Sequence, residues 1–133
     1  MRGSDYTVDI PNYTVGPDAI SALQRIAGHY GDKALIVGGK TALAKSQEKI
    51  VQALTRHGGI DFHVRWYGGE VSHENIGTLI GEAQKNRSNL IIGVGGGKAI
   101  DTAKGLAEKL KLPIITIPTI ASTCAAANSP FDS

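Results

Sequence analysis

Four glycines fall within five positions at residues 93–97 of the stretch GVGGGKAIDTAK, and Lys98 and Asp101 follow at once. Glycines at that density remove Cβ atoms from a turn, so a ligand can approach the backbone itself. The run Asn89-Leu90-Ile91-Ile92 before the turn reads as a strand, and the residues after it read as a helix. Such a turn combines unpaired amide N–H groups with the partial positive charge of a helix N-terminus. That combination suits a phosphate. Lys98 would add a flexible cation, and Asp101 sits one turn into the helix. Plainer roles stay open here: a tight strand-to-helix turn, a solvated lysine, and a carboxylate that balances the helix dipole.

Three phosphate motifs can be tested against the residues, and none fits. The dinucleotide fingerprint G-x-G-x-x-G needs glycine where Lys98 stands. The P-loop G-x-x-x-x-G-K-[ST] needs glycine and a hydroxyl where Ile92 and Ala99 stand. The second Gly-Lys pair, Gly39-Lys40-Thr41, lacks the leading glycine because Ala34 occupies its place.

The elements that position this turn alternate along the chain. Residues 34–37, 61–67, 89–93 and 113–117 are short and rich in β-branched or aromatic residues, so they read as strands. Between them run helical stripes: Ile20, Leu23, Ala27 and Tyr30; Leu43, Gln47, Ile50 and Leu54; Ile76, Leu79, Ile80 and Ala83; Ile100, Ala103, Ala107 and Leu110. Pro17 suits a first helical position, and Ser72 an N-cap, with Asn75 where a capping box would place Glu. Residues 6–10 and 13–15 are expected either to pair as a hairpin around Pro11-Asn12 or to form one broken edge strand. Strands apolar on both faces and alternating with helices predict a mostly parallel sheet covered on both sides. With right-handed crossovers the fold class is α/β, doubly wound and Rossmann-like.

The totals narrow the function. The 133 residues match one domain, and 41% hydrophobic with 20% charged residues indicates a folded chain with a core. A net charge of +2, with its Lys and Arg scattered, argues against a nucleic-acid partner. No apolar run approaches the ~20 residues of a membrane span, and no signal peptide is legible. Cys124 is the single cysteine, which excludes an internal disulfide and fits a reducing compartment, so cytoplasm is expected. Residues 1–4 look like an expression leader, leaving 5–133 as one domain. The stretch after residue 124 carries no closing element, so truncation after the last strand is expected.

GVGGGKAIDTAKGLA followed by LPIITIPTIASTCA resembles the metal-dependent (iron or zinc) alcohol dehydrogenases, in particular their glycerol dehydrogenase-like branch. Gly16-Pro17-Asp18-Ala19 matches that family's approach to its first helix, so the likeness covers nearly the whole chain. It implies a dehydroquinate synthase-like, dinucleotide-binding N-terminal domain, with the family's C-terminal helical domain absent. By this resemblance Gly95, Gly96, Gly97 and Lys98 hold the cofactor pyrophosphate, and Asp101 lies near that site. Thr119 and Ser122 would meet the adenine and nicotinamide ends. Many NAD-using members carry Asp where Gly39 stands, to hold the adenosine ribose; a missing carboxylate with the nearby Lys40 cation would tolerate a 2′-phosphate, so NAD and NADP both remain open. Glycerol dehydrogenases carry Asp where Cys124 stands, near the substrate hydroxyls. A thiol does not accept two hydroxyl hydrogen bonds as a carboxylate does, so glycerol itself is in doubt, and Cys124 reads as a small buried residue rather than a reactive thiol.

The resemblance further implies hydride transfer between an alcohol, polyol or 2-hydroxy acid and the nicotinamide. The zinc or iron belongs to an aspartate and histidines of the helical domain. His29, His57, His63 and His73 have no ligand spacing, so no metal ligand and no catalytic residue is assigned in this chain, and the chain alone is expected to be inactive. A different class of reading is a standalone interaction module that self-associates through the face including residues 120–127. The related dehydroquinate synthase and glycerol-1-phosphate dehydrogenase are a third option, against which the I-A-S-T-C loop argues.

Overall fold

Three stretches dominated by Ile, Leu and Val form the centre of the molecule. The structure is a computed structural model and describes residues 10–56 and 59–119. In chain order the elements are β1 (Asn12–Thr14), a 3-10 turn (Pro17–Ala22), α1 (Leu23–Tyr30), β2 (Lys33–Gly38), α2 (Lys40–Thr55) and β3 (Asp61–Trp66). Then follow α3 (His73–Lys85), β4 (Leu90–Gly95), α4 (Gly97–Leu110) and β5 (Ile114–Pro118). All strand pairs are parallel, in the order β1-β5-β4-β2-β3. The expected α/β doubly wound architecture is what forms.

Alternation along each strand splits the core in two. Ala34, Ile36, Ile92, Val94, Ile115 and Ile117 pack with Leu23 and Ala27 of α1 and Ile50 and Leu54 of α2. Leu35, Val37 and Ile91 turn to the other face, against Leu79 and Ala83 of α3 and Ala103 and Leu106 of α4. The three central strands are buried on both faces, which is why they read as continuous apolar runs. The outer strand β3 is half solvated and alternates instead. Each fully buried Leu or Ile contributes about 1.5–3 kcal/mol.

Several expectations are corrected in detail. Pro11-Asn12 is not a hairpin turn: Asn12 opens β1, which pairs in parallel with Ile114–Thr116, and the Pro11 carbonyl accepts from Ile114 N–H at 2.9 Å. A proline without an N–H fits such an edge. Residues 6–9 of the expected pairing lie outside the described residues. In α2 Gln47 is exposed and Ser46 takes the buried position. Asn89 is not a strand residue. Its Oδ1 accepts from Asp32 and Lys33 N–H, and its Nδ2 donates to Asp32 Oδ1 at 2.8 Å, tying β4's start to the loop before β2. Strand β4 runs two residues further than expected, through Gly95. Among the described residues no helix is long and apolar enough to cross a membrane.

Candidate functional site

The strand order reverses between β2 and β4. From β2 the chain crosses by α2 to β3 on one side, whereas from β4 it crosses by α4 to β5 on the other. The carboxyl ends of these two neighbours therefore send their helices to opposite faces, and a crevice opens between them. Gly38-Gly39 forms one lip and Gly95-Gly96 the other. The lips are in contact: Gly39 N–H donates to Val94 O at 3.2 Å, and a Cβ on Gly38 would lie 2.7 Å from that same oxygen. Gly95 has φ 137°, a conformation that residues with side chains rarely adopt, and a Cβ there would meet Ala99 Cβ at 3.1 Å and Gly39 N at 3.4 Å.

Both helices that start at the crevice have glycine N-caps and no side-chain cap. Gly39 opens α2 and Gly96 opens α4. The first intrahelical bonds are Leu43 N–H to Gly39 O and Ile100 N–H to Gly96 O, so the amides of the first three residues of each helix have no helical acceptor. Helix α3, which starts away from the reversal point, is closed in the ordinary way: Ser72 Oγ accepts from Asn75 N–H at 3.0 Å. The Asn75 side chain does not complete a capping box and donates to Glu70 O at 2.8 Å.

The geometry brings together Gly39, Gly95, Gly96, Gly97, Lys98 and Thr119. Thr119 N–H donates to Gly95 O at 3.1 Å, which holds the loop after β5 against the glycine turn. Gly97 faces open space, with nothing within 4 Å of a Cβ built on it. Lys98 is exposed in the first turn of α4. Asp101 is exposed one turn further along and outside that first turn, so it is not placed to balance the helix dipole. Gly93 belongs to the strand, not to the turn. A Cβ there would fall 2.6 Å from Ala103 Cβ, so this glycine serves the packing of α4 on the sheet. Ser122, Cys124 and the expected self-association face at 120–127 lie outside the described residues.

One part of the site was not assigned from the sequence. Trp66 ends β3 level with Gly38, and Lys40 begins α2 beside it. The Lys40 Nζ stands over the indole at 4.3 Å from its centre. The sequence offers Lys40 as a cation beside Gly39; its partner Trp66 becomes visible once β3 is known to lie next to β2. Among the described residues no group of three His, Cys, Asp or Glu could hold a metal ion.

With this geometry in hand, the comparisons with known proteins are specific. The family model for iron-containing alcohol dehydrogenase matches residues 11–130. A glycerol dehydrogenase from Citrobacter freundii is 35% identical over 111 residues, covering 84% of this chain and 30% of the relative. Hydroxycarboxylate dehydrogenase A from Escherichia coli is 42% identical over 94 residues, 71% of this chain and 25% of that protein. Among solved structures, glycerol dehydrogenase from Schizosaccharomyces pombe superposes with a TM-score of 0.73 at 30% identity, over 88% of this chain and 29% of that one. The chain thus spans about 30% of the length of the glycerol dehydrogenase relatives it matches. A doubly wound sheet, a glycine crevice at its reversal point and a family match over nearly the whole sequence agree, and the chain belongs to the iron-containing alcohol dehydrogenase family.

Proposed function

We propose that this chain is the nicotinamide dinucleotide-binding unit of an oxidoreductase acting on an alcohol, a polyol or a 2-hydroxy acid. The observation that carries the reading is the convergence of two uncapped helix N-termini on one glycine crevice. A pyrophosphate has charges enough for both, and the absent Cβ atoms let it reach the amides. In this reading Gly97, Lys98 and Ala99 donate backbone N–H groups to the phosphate oxygens, and the Lys98 ammonium adds charge. Gly39 and Thr119 bound the crevice on its two sides. Asp101 and Ser122 are assigned nearby contacts, and Cys124 a place close to substrate. When bound, the nicotinamide supplies the two-electron chemistry, taking hydride from the carbinol carbon or returning it.

No group of three His, Cys, Asp or Glu among the described residues fits a metal ion. Zinc or iron, and with it turnover, is assigned to residues of a helical domain. The chain by itself is expected to bind dinucleotide weakly and to show no dehydrogenase activity with added zinc or iron.

The test is a titration of isotope-labelled chain with NAD and NADP, followed by backbone amide NMR. The expected result is a set of shifts confined to residues 39–41, 95–99 and 119–124. A well-dispersed spectrum with no shift at 95–99 at millimolar nucleotide overturns the reading. If lines then broaden with protein concentration alone, self-association takes its place.

A further inference from the structure

The two edges of the sheet are finished differently. Strand β1 is three residues long and follows Pro11, a short edge of the kind that resists pairing. Strand β3 is six residues long and contains neither proline nor lysine. Its register with β2 is unbroken from Asp61 to Trp66, so no bulge twists it away. Among the described residues no strand pairs with its outer side. The ends of the ladder fix which backbone groups lie there. Asp61 N–H donates to Asp32 O and Tyr67 N–H to Gly38 O, each at 3.0 Å. Alternate residues of a parallel ladder face the same neighbour, so Asp61, His63 and Arg65 bond β2, and Phe62, Val64 and Trp66 turn N–H and C=O outward. In keeping with this, Arg65 Nη1 donates to Val64 O at 2.8 Å.

An unguarded edge of this length is a template for another strand, and its side chains select which strand. Asp61, His63 and Arg65 are exposed on the α3 side, where Arg65 Nη2 meets Glu82 Oε1 at 2.9 Å. Phe62 and Val64 are half-buried on the opposite side, against the core shared with α1 and α2. When two copies pair antiparallel, outward residues must bond outward residues. That allows a two-fold axis at His63 or at Val64. The axis at His63 sets Asp61 opposite Arg65 of the second copy, and the reverse, at the close non-hydrogen-bonded positions. Phe62 then exchanges both backbone bonds with Val64 of the second copy, and this apolar pair also repeats. The axis at Val64 instead sets His63 against Arg65 twice and places no cation opposite Asp61. We infer that β3 is a self-pairing edge: two copies of this chain join antiparallel about His63 into one continuous sheet. The glycine crevice lies between β2 and β4, one strand in from this edge, so the pairing is independent of nucleotide binding.

Sedimentation equilibrium from micromolar to millimolar protein reads the association, and a reversible dimer is expected. Asp61→Arg exchanges two attractive cross-strand pairs for two repulsive ones and is expected to weaken the dimer roughly tenfold or more. Asp61 is exposed, so the variant is expected to keep the far-UV dichroism of the parent. Cross-linking reads the register. In a Cys124→Ser background, His63→Cys is expected to give a disulfide-linked dimer with diamide, because facing non-hydrogen-bonded positions stand about 4.5 Å apart at Cα. Val64→Cys, at the axis of the other register, is expected to stay monomeric in the same reaction. A parent chain that remains monomeric at millimolar concentration overturns the self-pairing of β3. A dimer that Asp61→Arg leaves intact overturns it, as does one that links at Val64 or at neither position. Amide shifts at 95–99 with nucleotide, measured on the monomeric variant, test the dinucleotide reading separately.

Discussion

Replacing Gly97 by alanine separates the demands of a ligand from the demands of the fold. Gly97 is the first residue of α4, and a Cβ built on it meets nothing within 4 Å. Nothing in the protein therefore resists a methyl group there. Alanine in place of a glycine whose backbone it can share stabilises by about 0.4–1 kcal/mol, chiefly by restricting the unfolded chain. With a urea slope near 2 kcal/mol per molar, the unfolding midpoint is expected to rise by about 0.2–0.5 M. The same methyl occupies the space in front of the free amides of α4. Losing one charge-assisted hydrogen bond there weakens dinucleotide roughly ten- to hundredfold. Gly81 is the control: it is exposed in the interior of α3, and a Cβ on it also meets nothing. Gly81→Ala is expected to give a gain of similar size with no change in binding. Urea denaturation and the amide titration read both effects in the same samples. A Gly97→Ala chain that is stabilised and binds dinucleotide as tightly as the parent refutes the idea that this glycine makes room for a ligand.

Two further substitutions test the scaffold. Gly93→Ala places a methyl 2.6 Å from Ala103 Cβ, so α4 must lift off the sheet. Overpacking of this kind costs about 1–3 kcal/mol, and calorimetry is expected to show a thermal midpoint lower by roughly 5–15 °C. Ser72→Ala removes the acceptor for Asn75 N–H and is expected to cost about 1 kcal/mol. Hydrogen exchange in the first turn of α3 should quicken while nucleotide binding stays unchanged, because that cap lies away from the reversal point.

The sequence showed most clearly the features that depend on neighbours along the chain. Leu90, Ile91 and Ile92 announce a buried strand, Ser72 announces a cap, and residues 95–97 announce an exceptional turn. Features set by distant partners were less legible. Gly93 looked like part of the ligand turn because its true neighbour, Ala103, lies across the helix–sheet interface. Asn89 looked like the start of a strand, yet its side chain is committed to Asp32 and Lys33. Gln47 stands in the expected helical stripe in place of Ser46 because both fall at helical spacing from Leu43, while burial in α2 favours the smaller side chain. Lys40 and Trp66 are 26 positions apart in sequence, and no local pattern joins them. Only the order of strands does.

That order also governs how the domain comes into being. Thr14 and Thr116 join their hydroxyls across 102 positions, and β1 has no other strand to pair with among the described residues. During synthesis at about 5–20 residues per second, β1 waits roughly 5–20 s for β5 to emerge. Strands β2 to β4 and the helices between them can assemble meanwhile, but the β4 edge that β5 will cover stays open to other chains. Thr119, which holds the loop after β5 against Gly95, arrives after every other described residue of the crevice. A nascent chain is thus most exposed to edge-to-edge association just before its glycine crevice is completed.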